Sequence, residues 1–219
     1  MKKNLSVIWR EHKMLLILTS CIILLQTVVG VALWDQLPDQ IATHFGADGT
    51  PDRWSSKLTA AVGLPLLITA IHLGGIAATA LDPKHKNHGA KQLTLVLWLC
   101  PLLSALMSVL TLGNALGKVD TTSMPFFVTV FLGVLFVIIG NYLPKCRPNY
   151  TIGIKLPWTL HDEENWRFTH RVGGFAFSIA GVLVIFSAFF GAFWMPFAIL
   201  LLAILIPTVA SAVYFYKHK

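Results

Sequence analysis

Six runs of about twenty apolar residues, at 14–34, 58–81, 93–116, 124–143, 172–191 and 194–216, limit what this chain can fold into. None of them contains Asp, Glu, Lys or Arg. A helix rising ~1.5 Å per residue crosses a hydrocarbon layer of about 30 Å in about 20 residues. Backbone polar groups in lipid must be satisfied within the segment, so each run reads as a helix. The composition agrees, with 55% hydrophobic and 12% charged residues, where soluble domains carry roughly twice that charge. The expected fold class is an all-α, polytopic integral membrane protein with six transmembrane helices. The first run follows the basic stretch "MKKNLSVIWREHK". It exceeds the ~7–15 residues of a signal core and lacks an A-x-A-like site, so it reads as a retained span.

Basic residues set the expected orientation. With the N-terminus inside, 14 of the 17 Lys and Arg residues fall on one side. These are Lys2, Lys3, Arg10 and Lys13; Lys84, Lys86 and Lys91; Lys145, Arg147, Lys155, Arg167 and Arg171; and Lys217 and Lys219. Arg53, Lys57 and Lys118 fall on the other. The positive-inside rule then puts both termini in the cytoplasm. The formal charge of +7 is a topological signal with attraction to anionic lipid, and no direct nucleic-acid partner is expected. Of the three cysteines, Cys21 and Cys100 lie in helices and Cys146 on the inner side, so a disulfide is not expected. No cofactor or resident metal is expected either.

Two polar segments have room for specific chemistry. The outward loop, 35–57, contains "QIATHF", which suits a short extended piece, and "ADGTPD", which is turn chemistry. Its candidate partner-binding residues are His44, Asp48, Asp52 and Trp54, on an acidic, aromatic-edged surface. Read structurally, the same Asp residues, or Ser55 and Ser56, would cap turns and the second helix. A metal held by His44, Asp48 and Asp52 is a weaker alternative. The connection "DPKHKNHGAK" reads as a solvated basic hairpin facing headgroups.

The inward segment, 144–171, is "PKCRPNYTIGIKLPWTLHDEENWRFTHR". Its prolines and Gly153 make the first half irregular. In "TLHDEENWRFTHR", Thr159 and Asp162 approximate a capping box, and Asp162, Glu163 and Glu164 suit a helix N-terminus. Glu163 and Arg167 are spaced for pairing, and Trp166 and His170 share a helical side. His161 and His170 are nine residues apart, about 13 Å along a helix, too far to share one metal on a straight helix. No H-E-x-x-H, G-x-S-x-G or phosphate-cradling loop is present, and no enzyme is expected.

The residues "GN" at 140–141, "PNYTIGIKLPWTL" and "NWRFTHRVGG" resemble the signature of the SdpI family of bacterial membrane immunity proteins. The positions that carry it are Gly140, Asn141, Asn149, Gly153, Ile154, Pro157, Trp158, Thr159, Leu160, Trp166, His170 and Arg171. The outer "LPDQIATHFGADGTPDRW" resembles the small domain that often precedes this block. Lys155 stands where Arg is usual, Leu156 where Thr is usual, and Gly46 where Asn is frequent.

The resemblance implies a multi-pass protein of the bacterial cytoplasmic membrane. It would protect against a secreted antimicrobial peptide or toxin and signal by recruiting a cytosolic winged-helix repressor. The docking face so implied uses Asn149, Gly153, Lys155, Pro157, Trp158, Thr159, Asp162, Glu163, Glu164, Trp166, Arg167, His170 and Arg171, with Trp158 and Trp166 as anchors. Two domains are expected: 1–91, a helix pair with the outward loop, and 92–219, an SdpI-like four-helix region with the inward segment. The alternatives are a general envelope-stress or resistance protein, a small-molecule transporter, or an intramembrane enzyme. A transporter should place polar groups at mid-membrane. His72 is the clearest such residue, although a lone His there also fits a hydrogen-bonded packing role.

Overall fold

A computed structural model describes residues 2–46, 48–192 and 194–218. Its long helices are α1 (Lys2–Ala32), α2 (Leu64–Leu81), α3 (Ala90–Ala115), α4 (Met124–Tyr142), α6 (Glu163–Ser187) and α7 (Trp194–Lys217). Short elements between them are a β-hairpin, β1 (Gln40–Phe45) with β2 (Pro51–Ser56), and a one-turn helix, α5 (Pro157–His161). Among the described residues, six helical stretches are long and apolar enough to cross a membrane. Their outward faces carry large apolar side chains: Val28 is 61% exposed, Val109 62% and Phe175 68%. Such faces demand a hydrocarbon solvent, which makes this a multi-pass membrane protein.

The chain forms two compact units. One comprises Met1–Leu81 with Leu93–Pro125, and the other Asp82–Gln92 with Phe126–Lys219. From Leu93 onward α3 belongs with the first unit, and the α2–α3 connection through Gln92 with the second.

In the first unit, α1 packs against α2 and its preceding π-helical turn, Thr59–Gly63. Gly30 permits the approach, since a Cβ there would meet the Ala61 carbonyl oxygen at 2.7 Å. Polar side chains pair inside the unit. Thr19 Oγ1 lies 3.2 Å from His72 Nε2, and the Gln26 amide lies 2.6 and 2.7 Å from the Ser104 and Ser108 hydroxyls. His72 is thus a buried, bonded packing residue. Leu37, Ile41, Ala60, Ala61 and Leu112 form a small core beneath the hairpin.

The hairpin pairs Gln40 with Ser56 and Ala42 with Trp54. The extended piece expected at 40–45 is present, so the loop adds a two-stranded sheet to an otherwise helical molecule. Its tip turns at Gly49, whose φ of +81° suits glycine. Lys57 closes its base: Nζ donates to the Trp34 and Leu37 carbonyls at 3.4 and 3.3 Å and lies 5.1 Å from the Trp34 ring centre. Ser56 Oγ accepts from the Thr59 amide at 3.2 Å, the capping role expected for this serine pair.

In the second unit, small residues bring α4 and α6 into backbone contact. A Cβ on Gly140 would lie 2.5 Å from Ser178 N, and one on Gly133 2.7 Å from the Gly181 carbonyl. Without a hydrophobic drive between helices in lipid, such approaches supply the van der Waals packing. Between α6 and α7, Ser211 is a polar hub. Its Oγ donates to Asn165 Oδ1 at 2.8 Å and accepts from Trp158 Nε1 at 2.8 Å, while its carbonyl accepts from Asn165 Nδ2 at 3.1 Å.

Candidate functional site

The inward segment is irregular from 146 to 156 and is organised by three buried side chains. Asn149 is 2% exposed. Its Oδ1 accepts from the Thr151 and Ile152 amides at 2.9 and 2.6 Å, and its Nδ2 donates to the Arg147 carbonyl at 2.8 Å. This Asx turn supplies the bonds that regular structure would otherwise provide. Trp166 and His170, one helical turn apart on α6, stack with ring centres 4.0 Å apart, and both are fully buried. Trp166 Nε1 donates to the Cys146 carbonyl at 2.8 Å, and His170 Nε2 accepts from the Ile154 amide at 3.0 Å. His170 Nδ1 lies 2.8 Å from the Trp166 carbonyl. These partners define a neutral imidazole with its proton on Nδ1. Gly153 has φ +120° and passes so close to His170 that no side chain fits.

Thr159 and Asp162 do not form one capping box. Thr159 belongs to α5, where its Oγ1 accepts from the Leu156 amide at 2.9 Å. Asp162 is the N-cap of α6, its Oδ1 accepting from the Glu164 and Asn165 amides at 2.8 and 3.2 Å. Pro157 opens α5, and extended Asp162, ending α5 and capping α6, breaks the segment into two helices. Glu163 and Glu164 occupy the first turn of α6 as expected. Arg167 Nε reaches the Glu163 backbone carbonyl at 3.4 Å rather than its carboxylate.

The α2–α3 connection, read from sequence as solvated, is instead docked on this segment. Asp82 is 3% exposed, and its carboxylate gathers four donors. They are the Tyr150 amide at 2.8 Å, Thr151 Oγ1 at 2.6 Å, the Lys84 amide at 2.7 Å and His88 Nε2 at 3.2 Å. Burial raises its pKa, but the Thr151 hydroxyl, the two amides and His88 outweigh burial and hold the carboxyl below its ordinary value. Asn87 Nδ2 donates to the Pro148 carbonyl at 2.6 Å, and Gln92 Nε2 to the Lys145 carbonyl at 3.1 Å. Sequence reading missed Asp82, Asn87 and Gln92. An Asp directly after a run of eighteen helical residues signals a helix end, and nothing in it names partners 68 residues on.

These contacts sort the expected docking residues. Asn149, Thr159, Trp166 and His170 are at most 2% exposed and hold the segment together. Trp166 is therefore no anchor reaching outward, because its ring and indole N–H are both used inside. Trp158 is half-buried, its ring stacked on Phe215 and its N–H given to Ser211. Gly153 shapes the backbone. The surface belongs to Lys155, Pro157, Glu163, Glu164, Arg167 and Arg171, with Asp162 half-exposed. Lys155 Nζ donates to the Tyr150 and Thr151 carbonyls at 3.2 and 3.1 Å, closing its own loop. Burial pushes the Cys146 thiol up to about 11, which makes it a packing residue rather than a nucleophile.

In the outward hairpin, His44 Nδ1 and Asp52 Oδ1 lie 2.5 Å apart on the surface. Asp48 instead serves the tip: its Oδ1 accepts from Thr50 Oγ1 at 2.7 Å and the Thr50 amide at 3.0 Å, which lowers its pKa. Among the described residues no three His, Cys, Asp or Glu side chains gather to hold a metal. Trp54 is 56% exposed.

A multi-pass bacterial membrane protein with a hydrogen-bonded irregular segment between two of its spans is the class these features define. Residues 145–211 match the SdpI/YfhL protein family, and residues 21–69 match a domain of unknown function, DUF1648. The motif positions from Asn149 to Arg171 fall within the first of these matches, and Gly140 and Asn141 lie just before it. The chain is 23% identical over 209 residues to "Immunity protein SdpI" of Bacillus subtilis (strain 168), spanning 92% of this chain and 96% of that protein. No solved structure matches this chain.

Proposed function

We propose that this protein confers immunity on its own cell against a secreted antimicrobial peptide or toxin. The observation that carries the reading is similarity to an immunity protein along nearly the full length of both chains. The outward hairpin, with His44, Asp52 and Trp54 on its surface, is the face suited to a cationic peptide. In the second unit, Asp162, Glu163 and Glu164 open α6, followed one and two turns on by Arg167 and Arg171. That face suits the basic surface of a cytosolic winged-helix repressor, and occupancy outside would change its exposure inside. Asn149, Thr159, Trp166 and His170 act by holding that face in shape. The role needs no chemistry at the segment, and the chain is read as non-enzymatic.

The test is expression in a toxin-sensitive host. Survival should rise in the presence of a cationic peptide toxin, and the triple variant Asp162→Asn, Glu163→Gln, Glu164→Gln should keep survival but lose recruitment of a repressor to the membrane. Unchanged killing by every candidate peptide overturns the immunity reading. Recruitment by the triple variant overturns the docking face alone.

A further inference from the structure

Where α6 enters its apolar stretch, an open groove of about 460 Å³ is lined by Glu164, Arg167, Phe168, Arg171 and Tyr214. Arg167 and Arg171 are both exposed, and among the described residues neither is paired with a carboxylate. One helical turn separates them, about 6 Å along the axis, a span that one phosphodiester headgroup can bridge. The floor is aromatic: Phe168 stacks on Tyr214 at 4.9 Å, and Tyr214 on His218 at 4.1 Å. The Tyr214 hydroxyl donates to Glu164 Oε2 at 3.3 Å, turning that carboxylate toward the phenol.

The two arginines top a continuous apolar stripe. On the same face of α6 as Arg171 follow Phe175 (68% exposed), Val182 (44%) and Phe186 (60%). We propose that Arg167 and Arg171, above the Phe168–Tyr214 stack, bind the phosphate of an anionic phospholipid whose acyl chains lie along that stripe.

Charge and position agree on this ligand. Guanidinium groups at the level where apolar surface begins meet headgroup phosphates, and aromatic rings sit well at the same depth. A soluble phosphate would gain nothing from the stripe. An acidic polypeptide would approach past Asp162, Glu163 and Glu164, whereas a lipid arrives from the apolar side. The lipid assignment does not rest on the immunity reading, although Arg167 and Arg171 also border the face proposed for the repressor, and it holds for either leaflet.

The protein in a neutral maltoside detergent would be titrated with dioleoyl phosphatidylglycerol, dioleoyl phosphatidylcholine or inorganic phosphate. Thermal unfolding and native mass spectrometry would read binding. Phosphatidylglycerol should stay bound to wild type and raise its Tm at lower concentration than phosphatidylcholine, while phosphate alone does neither. R167K/R171K should behave as wild type, and R167Q/R171Q should need roughly tenfold or more phosphatidylglycerol for half-saturation. Equal binding of phosphatidylglycerol by R167Q/R171Q and wild type overturns the site, as does equal preference for the two lipids. Inorganic phosphate reproducing the shift overturns the lipid assignment. Should the double glutamine variant not survive purification, unchanged phosphatidylglycerol binding by R171Q overturns it as well.

Discussion

Gly153 and Asp82 show how single residues hold the inward segment. Gly153 combines φ +120° with a backbone pressed against His170. Gly153→Ala should therefore lower stability by about 1–3 kcal/mol, read as a fall in Tm in detergent. Asp82 works by charge. Its folded carboxyl titrates below the ordinary value, so its contribution is complete above about pH 4 and fades as pH falls through its folded pKa. Asp82→Asn should cost about 1–3 kcal/mol at neutral pH, since an amide cannot accept from all four donors. The same variant should flatten the acid limb of a Tm-against-pH curve. An unchanged limb would assign the acid sensitivity to other carboxylates.

At the scale of elements, close helix contact in the second unit depends on missing side chains. Gly140 and Gly133 on α4 face Ser178 and Gly181 on α6 with no space for a Cβ. Gly140→Val should force the helices apart and destabilise by about 1–3 kcal/mol, whereas a bulkier side chain at lipid-facing Phe175 should be neutral. Ser211→Ala tests the α6–α7 hub: Trp158 Nε1 and Asn165 each lose a partner, at about 1–3 kcal/mol. Local patterns revealed part of this. The i,i+4 spacing of Trp166 and His170 announced a shared face, the acidic residues announced the start of α6, and "ADGTPD" announced the hairpin tip. The break between α5 and α6 was not legible, because Thr159 and Asp162 are both good caps and only their surroundings separate them.

For the whole molecule, orientation is the property most open to direct test. In a background lacking the native cysteines, Asp48→Cys should react with a membrane-impermeant maleimide on intact cells, and Glu163→Cys only after lysis. The reverse pattern would mean that the basic-residue asymmetry does not set the topology. If orientation holds, the hairpin meets secreted partners and the α6 N-terminus meets cytosolic ones, as immunity with signalling requires.

The number, length and placement of the spans follow from sequence alone, because hydrocarbon permits only segments that satisfy their own backbone. Turns and caps near their own partners were legible for a similar reason, since short-range bonding depends on residues a few positions away. Tertiary structure alone decided which polar groups meet across distance: Asp82 with Thr151, Trp158 with Ser211, Asn87 with Pro148. It also decided that Trp166 and His170 are buried while Arg167 and Arg171 are exposed. Buried polar groups must find partners, but which partner each finds is set by how elements distant in sequence pack together, and spacing along the chain does not record that.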